Sequence, residues 1–453
     1  MRLKIADIVK ATGGKLLCGK EETVITNFSA DSRSVKGGTM FVPIRGEKTD
    51  AHQYINQVFE SGAAATFTEE EIELCEQPVV LVGDSRAALQ AAASFYRSGF
   101  DTPIVGVSGS AGKTTAKEMI ALALSSKLKT MKTAGNQNSQ LGVPLTMCGL
   151  RKEHQAAVVE LGISMPGEME KISAVVKADY AVVTNIGISH IEFLKSRENI
   201  MEEKLHLADY IKKDGVLFVN GDDDLLAGLK EKKMHCKVVT FGVAHNCDWK
   251  ASMLKQADNG TFFTCEYRGG SVQAFVPAAG IHNVRNALAA IAVAHTLGVE
   301  IESAVRAIGA YKPPTMRQQI IKAGEITVID DTYNASPDSM RGAIDILQNM
   351  QNQERKIAVL GDMLELGELA DEEHFRLGRY AAGKGVDKLF AVGQFAEKIC
   401  EGFDKEDSVV CEDSEYATEK LFEELKPGDA VLIKGSRGIK MDTIVKKITE
   451  KYN

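Results

Sequence analysis

Ile104-Val-Gly-Val-Ser-Gly109-Ser110-Ala111-Gly112-Lys113-Thr114-Thr115 decides how this chain is read. A short apolar run enters two glycines, a lysine and two threonines, and a helix-compatible segment, Lys117 to Ala123, follows. The order is strand, phosphate-cradling loop, helix. Bare glycines let backbone N–H groups approach a polyphosphate, and the helix N-terminus adds the positive end of its dipole. Lys113 is placed to neutralise terminal phosphate charge, and the Thr114 hydroxyl to hold Mg2+. The general pattern also wants glycine where Val107 stands, so what remains is the shorter Gly109-x-x-Gly112-Lys113-Thr114. Alone, that could be an ordinary glycine-rich turn.

Outward from the loop, buried strands alternate with helices. Residues 104–108, 156–161, 180–186 and 215–220 are continuous apolar runs, the pattern of a parallel sheet covered on both faces. Between Asp248 and Pro277 the pattern changes. Thr261-Phe-Phe-Thr-Cys265 and Val272-Gln-Ala-Phe-Val276 flank Arg268-Gly269-Gly270 as the arms of an antiparallel hairpin would, and an alanine-rich helix over 284–297 closes the unit. Upstream, strand-like runs at 23–26, 40–44, 63–68 and 79–82 accompany helices over 52–61 and 85–98. They lead to Gly99-Phe-Asp-Thr-Pro103, where the proline biases Thr102 to an extended linker. Downstream, Tyr311-Lys-Pro-Pro-Thr315 cannot continue a helix. Beyond it, runs at 327–330, 356–360, 388–392 and 430–433 alternate with helices as a second, Rossmann-like unit without a Gly-x-Gly-x-x-Gly fingerprint. The expected fold is α/β in three domains, residues 1–100, 101–312 and 313–453, in keeping with a 453-residue chain.

Hydrophobic residues make up 44% and charged residues 26%, so each domain can bury its own core and disorder is not indicated. A net charge of −8 speaks against nonspecific nucleic-acid or anionic-membrane surfaces, though not against small anions met by local clusters. Eight scattered cysteines (Cys18, Cys75, Cys148, Cys236, Cys247, Cys265, Cys400, Cys411) contain no Cys-x-x-Cys and read as buried or idle thiols in a reducing compartment. No signal peptide or membrane-length apolar run is found, and the expectation is a cytoplasmic protein.

Ligands of open parallel sheets bind at the carboxyl ends of strands. Glu160 and Asn185 stand at such ends beside the loop, with His190 just beyond. Thr114, Glu160 and His190 could therefore meet as an Mg2+–ATP site, since Mg2+ needs few protein oxygens. Singly, Glu160 could be a solvated strand end and His190 a structural histidine. Asp330-Asp331-Thr-Tyr333-Asn334-Ala-Ser-Pro337 follows another apolar run. It could grip ribose hydroxyls, a cation or an amine, cap the next helix, or do both. Lys434-Gly-Ser-Arg437 offers cations on a glycine-flanked loop, suited to phosphate or carboxylate unless it is a solvated turn.

Together these residues resemble the Mur ligase family, ATP-dependent amino-acid and peptide ligases of bacterial cell-wall precursor synthesis, and the resemblance covers essentially the whole chain. The shortened loop is similar to that family's own form, which accounts for Val107. Glu160-Leu-Gly162, Asn185-Ile-Gly-Ile-Ser-His190 and His282-Asn283-x-x-Asn286 resemble further family segments. The resemblance implies nucleotide contacts from Asn283, Arg317 and Asp331, and an adenine site at Asn283. It implies metal ligation by Thr114, Glu160, His190 and Lys204. Lys204 has the family spacing, fourteen residues after His190, of a lysine carbamylated by CO2. It would otherwise be an exposed lysine on a charged helix, and here it is flanked by Glu202-Glu203 and His206.

Asp330 to Met340, Leu360-Gly-Asp-Met-Leu-Glu-Leu-Gly367 and Lys434-Gly-Ser-Arg437 resemble the family branch that joins D-alanyl-D-alanine to UDP-MurNAc-tripeptide. On that resemblance the first domain, with Asp31-Ser32-Arg33, receives the UDP-sugar. The Asn-rich segment Asn136-Gln-Asn138 meets substrate, and Tyr333, Asn334, Lys434 and Arg437 serve the C-terminal substrate and nucleotide site. ATP would phosphorylate the tripeptide carboxylate, with Lys113, Glu160, His190 and Lys204 in catalytic roles. A monomer with small-molecule partners alone is expected, closing about residues 100 and 312. The other readings are a folylpolyglutamate-synthase-like ligase, opposed by the UDP-sugar-like segment, and a regulatory P-loop ATPase.

Overall fold

The apolar runs around the loop become the middle of a nine-stranded sheet. The computed structural model describes residues 1–452 apart from 47–48, 73–75, 258 and 352, so Cys75 lies outside the described residues. From edge to edge the strands are Thr130–Lys132, Ala156–Glu160, Ile104–Ser108, Tyr180–Val183, Val216–Asn220, Lys237–Gly242, Trp249–Ala257, Gly260–Tyr267 and Gly270–Val276. All neighbours are parallel as far as Trp249–Ala257, and the last two pairings are antiparallel. The expected hairpin is present. It extends the main sheet because Trp249 pairs in parallel with Phe241.

Both faces of this sheet are covered, as the unbroken apolar runs require. Val105 and Val107 pack with helices Lys113–Ser125 and Ile281–Thr296, whereas Ile104 joins the opposite cluster. Gly106 lies between them on the crowded side, where a Cβ would come within 2.5 Å of Leu207. The third strand run stops at Val183, short of the expected residue 186. Beyond it Thr184 still donates its N–H to the Ser108 carbonyl, but Thr184 and Asn185 turn their side chains onto Ala111 and the regular strand ends.

The C-terminal sheet runs Gln319–Ala323, Ile326–Asp331, Ala430–Lys434, Lys356–Gly361, Lys388–Val392 and Ser408–Cys411, all parallel except the first pairing. The N-terminal five-stranded sheet runs Lys15–Cys18, Val79–Leu81, Ala65–Thr68, Thr39–Phe41 and Asn27–Ser29. Helix Ser85–Arg97 bridges the two units, packing against helix Ile5–Thr12 on one side and against helices Gly142–Cys148 and Glu168–Val176 of the central unit on the other. Tyr96 donates to the Leu150 carbonyl at 2.8 Å and Arg97 to the Val176 carbonyl at 3.1 Å, within one continuous apolar cluster.

No disulfide joins the described cysteines, and burial pushes the Cys148, Cys265 and Cys411 thiols up to about 12. Among the described residues, no helix is long and apolar enough to cross a membrane.

Candidate active site

Strand Ile104–Ser108 lies third from the Thr130–Lys132 edge, between Ala156–Glu160 and Tyr180–Val183, and the strands that follow it in the chain fall first on one side of it and then on the other. This is the switch point at which open parallel sheets bind ligands. Gly109 (φ 146°) and Gly112 (φ 78°) make the loop, and Gly112 is the N-cap of helix Lys113–Ser125. Side chains from the neighbouring strand end brace it. Ala111 N–H donates to Asn185 Oδ1 at 2.8 Å, and the Thr184 hydroxyl donates to the Ala111 carbonyl at 2.6 Å. Lys113 Nζ lies over the loop, donating to the Gly109 carbonyl at 2.8 Å. Burial lowers its pKa; Glu160 opposes that shift and Arg317 adds to it.

Parallel pairing puts Glu160 opposite Val107, next to the loop. Its buried carboxylate accepts from the Thr114 hydroxyl at 3.0 Å and from Asn138 Nδ2 at 2.8 Å, both at Oε1. Oε2 is buried with no hydrogen-bond partner and lies 3.9 Å from Lys117 Nζ. No group of three or more His, Cys, Asp or Glu side chains gathers as a metal cage among the described residues. One carboxylate and one hydroxyl beside a phosphate loop nevertheless fit Mg2+, which takes its remaining ligands from phosphate and water.

A cleft of about 920 Å³ opens from the loop to the C-terminal sheet. From the central sheet its wall takes Ser110 to Thr115, Asn138, Glu160, His190 and Asn283. Facing them are Arg317, Asp331, Tyr333, Asn334, Lys434 and Arg437. The Arg317 guanidinium lies over the Tyr333 ring, 4.0 Å from its centroid. Asn283 Nδ2 donates to Gln318 Oε1 at 2.9 Å, and the Gln318 N–H reaches Asp331 at 3.3 Å, so the linker touches both walls. The register opposes Asp331 to Lys434, whose ammonium is 2.7 Å from Asp331 Oδ2.

Not every expected residue converges. His190 (φ 63°) lines the cleft, but its Nδ1 pairs with Glu365 of the C-terminal unit. Lys204 lies outside the cleft lining and is fully buried, not exposed, and its Nζ has no hydrogen-bond partner. Burial drives its pKa well below the ordinary lysine value, Lys113 adds to the shift and Glu203 opposes it. Glu203 itself is engaged by the Gly167 and Met169 N–H groups, both at 2.9 Å, at the start of helix Glu168–Val176.

Asp31, Ser32 and Arg33 line a separate hollow of about 800 Å³, where Asp31 accepts from Arg33 N–H at 3.0 Å and Nε at 2.9 Å. Gln137 lines this hollow while Asn138 lines the cleft, so one loop joins the two sites. Sequence reasoning gave no role to Lys117 or Gln318, and noted Glu365 only within Leu360–Gly367. Lys117 carried a signal, since a residue one turn after Lys113 shares its helix face; Gln318 carried none.

A phosphate loop at a switch point, a carboxylate beside it and a facing α/β wall define a nucleotide-binding cleft between two α/β units. Three family models match in chain order: Mur ligase family, catalytic domain, over residues 24–97; Mur ligase middle domain, over 107–294; and Mur ligase, glutamate ligase domain, over 316–437. The UDP-N-acetylmuramoyl-tripeptide–D-alanyl-D-alanine ligase of Bacillus subtilis (strain 168) is 36% identical, spanning 98% of this chain and 97% of its own. That of Escherichia coli (strain K12) is 30% identical over 93% of each. The crystal structure of MurF from Acinetobacter baumannii superposes with a TM-score of 0.92 at 33% identity, covering 99% of both chains. MurF ligase from Thermotoga maritima in complex with ADP gives 0.84 at 28% identity, over 94% of this chain and 97% of that one. The chain belongs to the Mur ligase family.

Proposed function

We propose that this enzyme joins D-alanyl-D-alanine to UDP-N-acetylmuramoyl-tripeptide, with ATP converted to ADP and phosphate. The observation that carries the reading is the Thr114–Glu160–Asn138 cluster: it puts the phosphate loop, a candidate metal carboxylate and the substrate loop within hydrogen-bond reach. Relatives 29–36% identical over nearly the whole chain bear the name of this ligase. Folylpolyglutamate synthase from Mycobacterium tuberculosis, at 14% identity and a TM-score of 0.64, shares the fold alone.

The chemistry follows from the tripeptide carboxylate being a poor electrophile. A carboxylate oxygen attacks the γ-phosphorus of ATP and the bond to ADP breaks, giving an acyl phosphate. The dipeptide amine then attacks the acyl carbon, loses a proton, and the C–O bond to phosphate breaks. Positioning and charge neutralisation do most of the work. Lys113 and the N-terminus of its helix hold the phosphates, while Asn138 orients Glu160. Thr114 and Glu160 would hold Mg2+, which when bound neutralises the phosphoryl oxygens. Asn283, Arg317 and Asp331 hold the nucleotide, and Tyr333, Asn334, Lys434 and Arg437 the dipeptide side.

Residues 1–100 carry the UDP-sugar at Asp31-Ser32-Arg33, residues 101–312 the ATP site, and residues 313–453 the facing wall. The loop from Gln137 to Asn138 leads the tripeptide from one site to the other. Lys204 suits carbamylation, because burial favours its neutral amine, which can attack CO2 and release a proton to give a carboxylate-like group. One chain supplies every group named here, so we take the monomer as the working unit, acting in the cytoplasm where ATP is available. The test is phosphate release from ATP with UDP-tripeptides ending in lysine or diaminopimelate. Release should require the dipeptide and match pentapeptide formation; release without the dipeptide would refute the reading.

A further inference from the structure

Lys117 is a buried cation for which the proposed reaction has no direct use. It is 1% exposed and follows Lys113 by one turn of helix Lys113–Ser125. Its ammonium meets Glu118 Oε1 at 2.8 Å, the Thr133 carbonyl at 3.0 Å and Glu160 Oε2 at 3.9 Å. A charge removed from water is tolerated only where such acceptors surround it.

Thr133 and Glu160 are themselves joined. The Glu160 N–H donates to the Thr133 hydroxyl at 2.9 Å, and the Thr133 N–H to the Val158 carbonyl at 3.0 Å. After Thr133 the chain enters the loop that carries Asn138. Asn138 returns to Glu160 through Nδ2 and accepts the Gly162 N–H at 2.8 Å. Glu160 is thus held by hydrogen bonds at one oxygen and faced by a cation at the other. Thr114 and Asn138 hold Oε1 on the cleft side, while Oε2, without a hydrogen bond, faces Lys117.

We infer that Lys117 is a positioning residue for the ligase reaction. Its ammonium fixes the rear oxygen of Glu160 and the root of the Asn138 loop, so one buried charge aligns the metal–nucleotide end with the substrate loop. It acts through Glu160 and Asn138 and touches neither nucleotide nor substrate. The inference rests on the assignment of Glu160 to Mg2+.

The test is calorimetric binding of a non-hydrolysable ATP analogue to the full-length enzyme, in excess Mg2+ and in EDTA. The parent should bind more tightly with Mg2+. K117Q should bind in EDTA within about twofold of the parent, because Lys113 and its loop are intact, while the Mg2+ enhancement falls by about tenfold or more, as for partners that orient metal ligands. K117R should also fall short, because a planar guanidinium does not fit the site of a compact ammonium. K129Q, which removes an exposed lysine that pairs with Glu153, should keep the enhancement within about twofold. An undiminished enhancement in folded K117Q overturns the inference, and so does an equal loss in K129Q, which would make it a general charge effect. If circular dichroism shows K117Q unfolded, K117R decides: a reduced enhancement with intact EDTA binding supports the inference, an unreduced one overturns it. A parent with no Mg2+ enhancement sinks the Glu160 assignment, and the inference with it.

Discussion

Replacing Lys434 by methionine tests how the far wall of the cleft is braced. Lys434 is 2% exposed, and its Nζ lies 2.7 Å from Asp331 Oδ2 and 2.8 Å from the Asn334 carbonyl. At that separation, with an effective dielectric of about 20, the attraction is about 6 kcal/mol. Most of it is offset by the cost of desolvating both charges. Lys434→Met alone leaves the buried Asp331 carboxylate uncompensated, and Asp331→Asn alone leaves the ammonium so; each should cost about 3–5 kcal/mol. The double variant removes both charges and should cost less than the two singles together by about 2–3 kcal/mol. Denaturant unfolding followed by hydrogen exchange in strand Ala430–Lys434 reads the C-terminal unit, whereas the single tryptophan, Trp249, reports the central sheet. Costs additive within about 0.5 kcal/mol would refute the coupling.

Three further predictions concern the central unit. Burial raises the pKa of Asp222, but the Val243 N–H and Arg285 override it and hold it at about 2 against an ordinary 3.8. The stability this supplies is complete above 3.8 and lost as pH falls toward about 2. Asp222→Asn should therefore cost about 2.5 kcal/mol in urea titrations at about pH 8, and a cost below about 1 kcal/mol there would contradict the assignment. A Cβ on Gly109 would sit 2.0 Å from the Thr184 hydroxyl at a φ of 146°. Gly109→Ala should therefore weaken ATP-analogue binding about tenfold or more, and parent-like affinity would disprove the crowding. Lys204→Met removes a buried, unpartnered amine and should abolish turnover without lowering the melting temperature. The parent should lose activity in CO2-stripped buffer and regain it with bicarbonate, and indifference to bicarbonate would argue against a carbamate.

The α/β class and the loop's place at a strand end were legible because Ile104–Ser108 and its neighbours are unbroken apolar runs, which few other folds accommodate. The short edge strands Thr130–Lys132 and Lys15–Cys18 were not, since they carry lysines and no period of their own. The helix over 52–61 proved to be a short 3-10 turn, Ala51–Tyr54, begun where Asp50 accepts the His52 N–H, followed by Ile55–Glu60. Charged residues misled more than apolar ones. Lys204 sits among Glu202, Glu203 and His206 and reads as a solvated helix face, yet it is fully buried because Glu203 caps helix Glu168–Val176 beside it. Contacts between the units were invisible. Nothing local predicts that Glu365 reaches His190, or that Ser85–Arg97 packs on helices Gly142–Cys148 and Glu168–Val176 of the central unit.

The most direct measurement follows an oxygen atom. UDP-MurNAc-tripeptide labelled with 18O in its terminal carboxylate is turned over with ATP and D-alanyl-D-alanine, and the released phosphate is analysed by mass spectrometry. An acyl phosphate places one carboxylate oxygen in the phosphate, so each released phosphate should carry one 18O, in step with pentapeptide formed. Unlabelled phosphate, with ADP appearing at the same rate, would contradict the account.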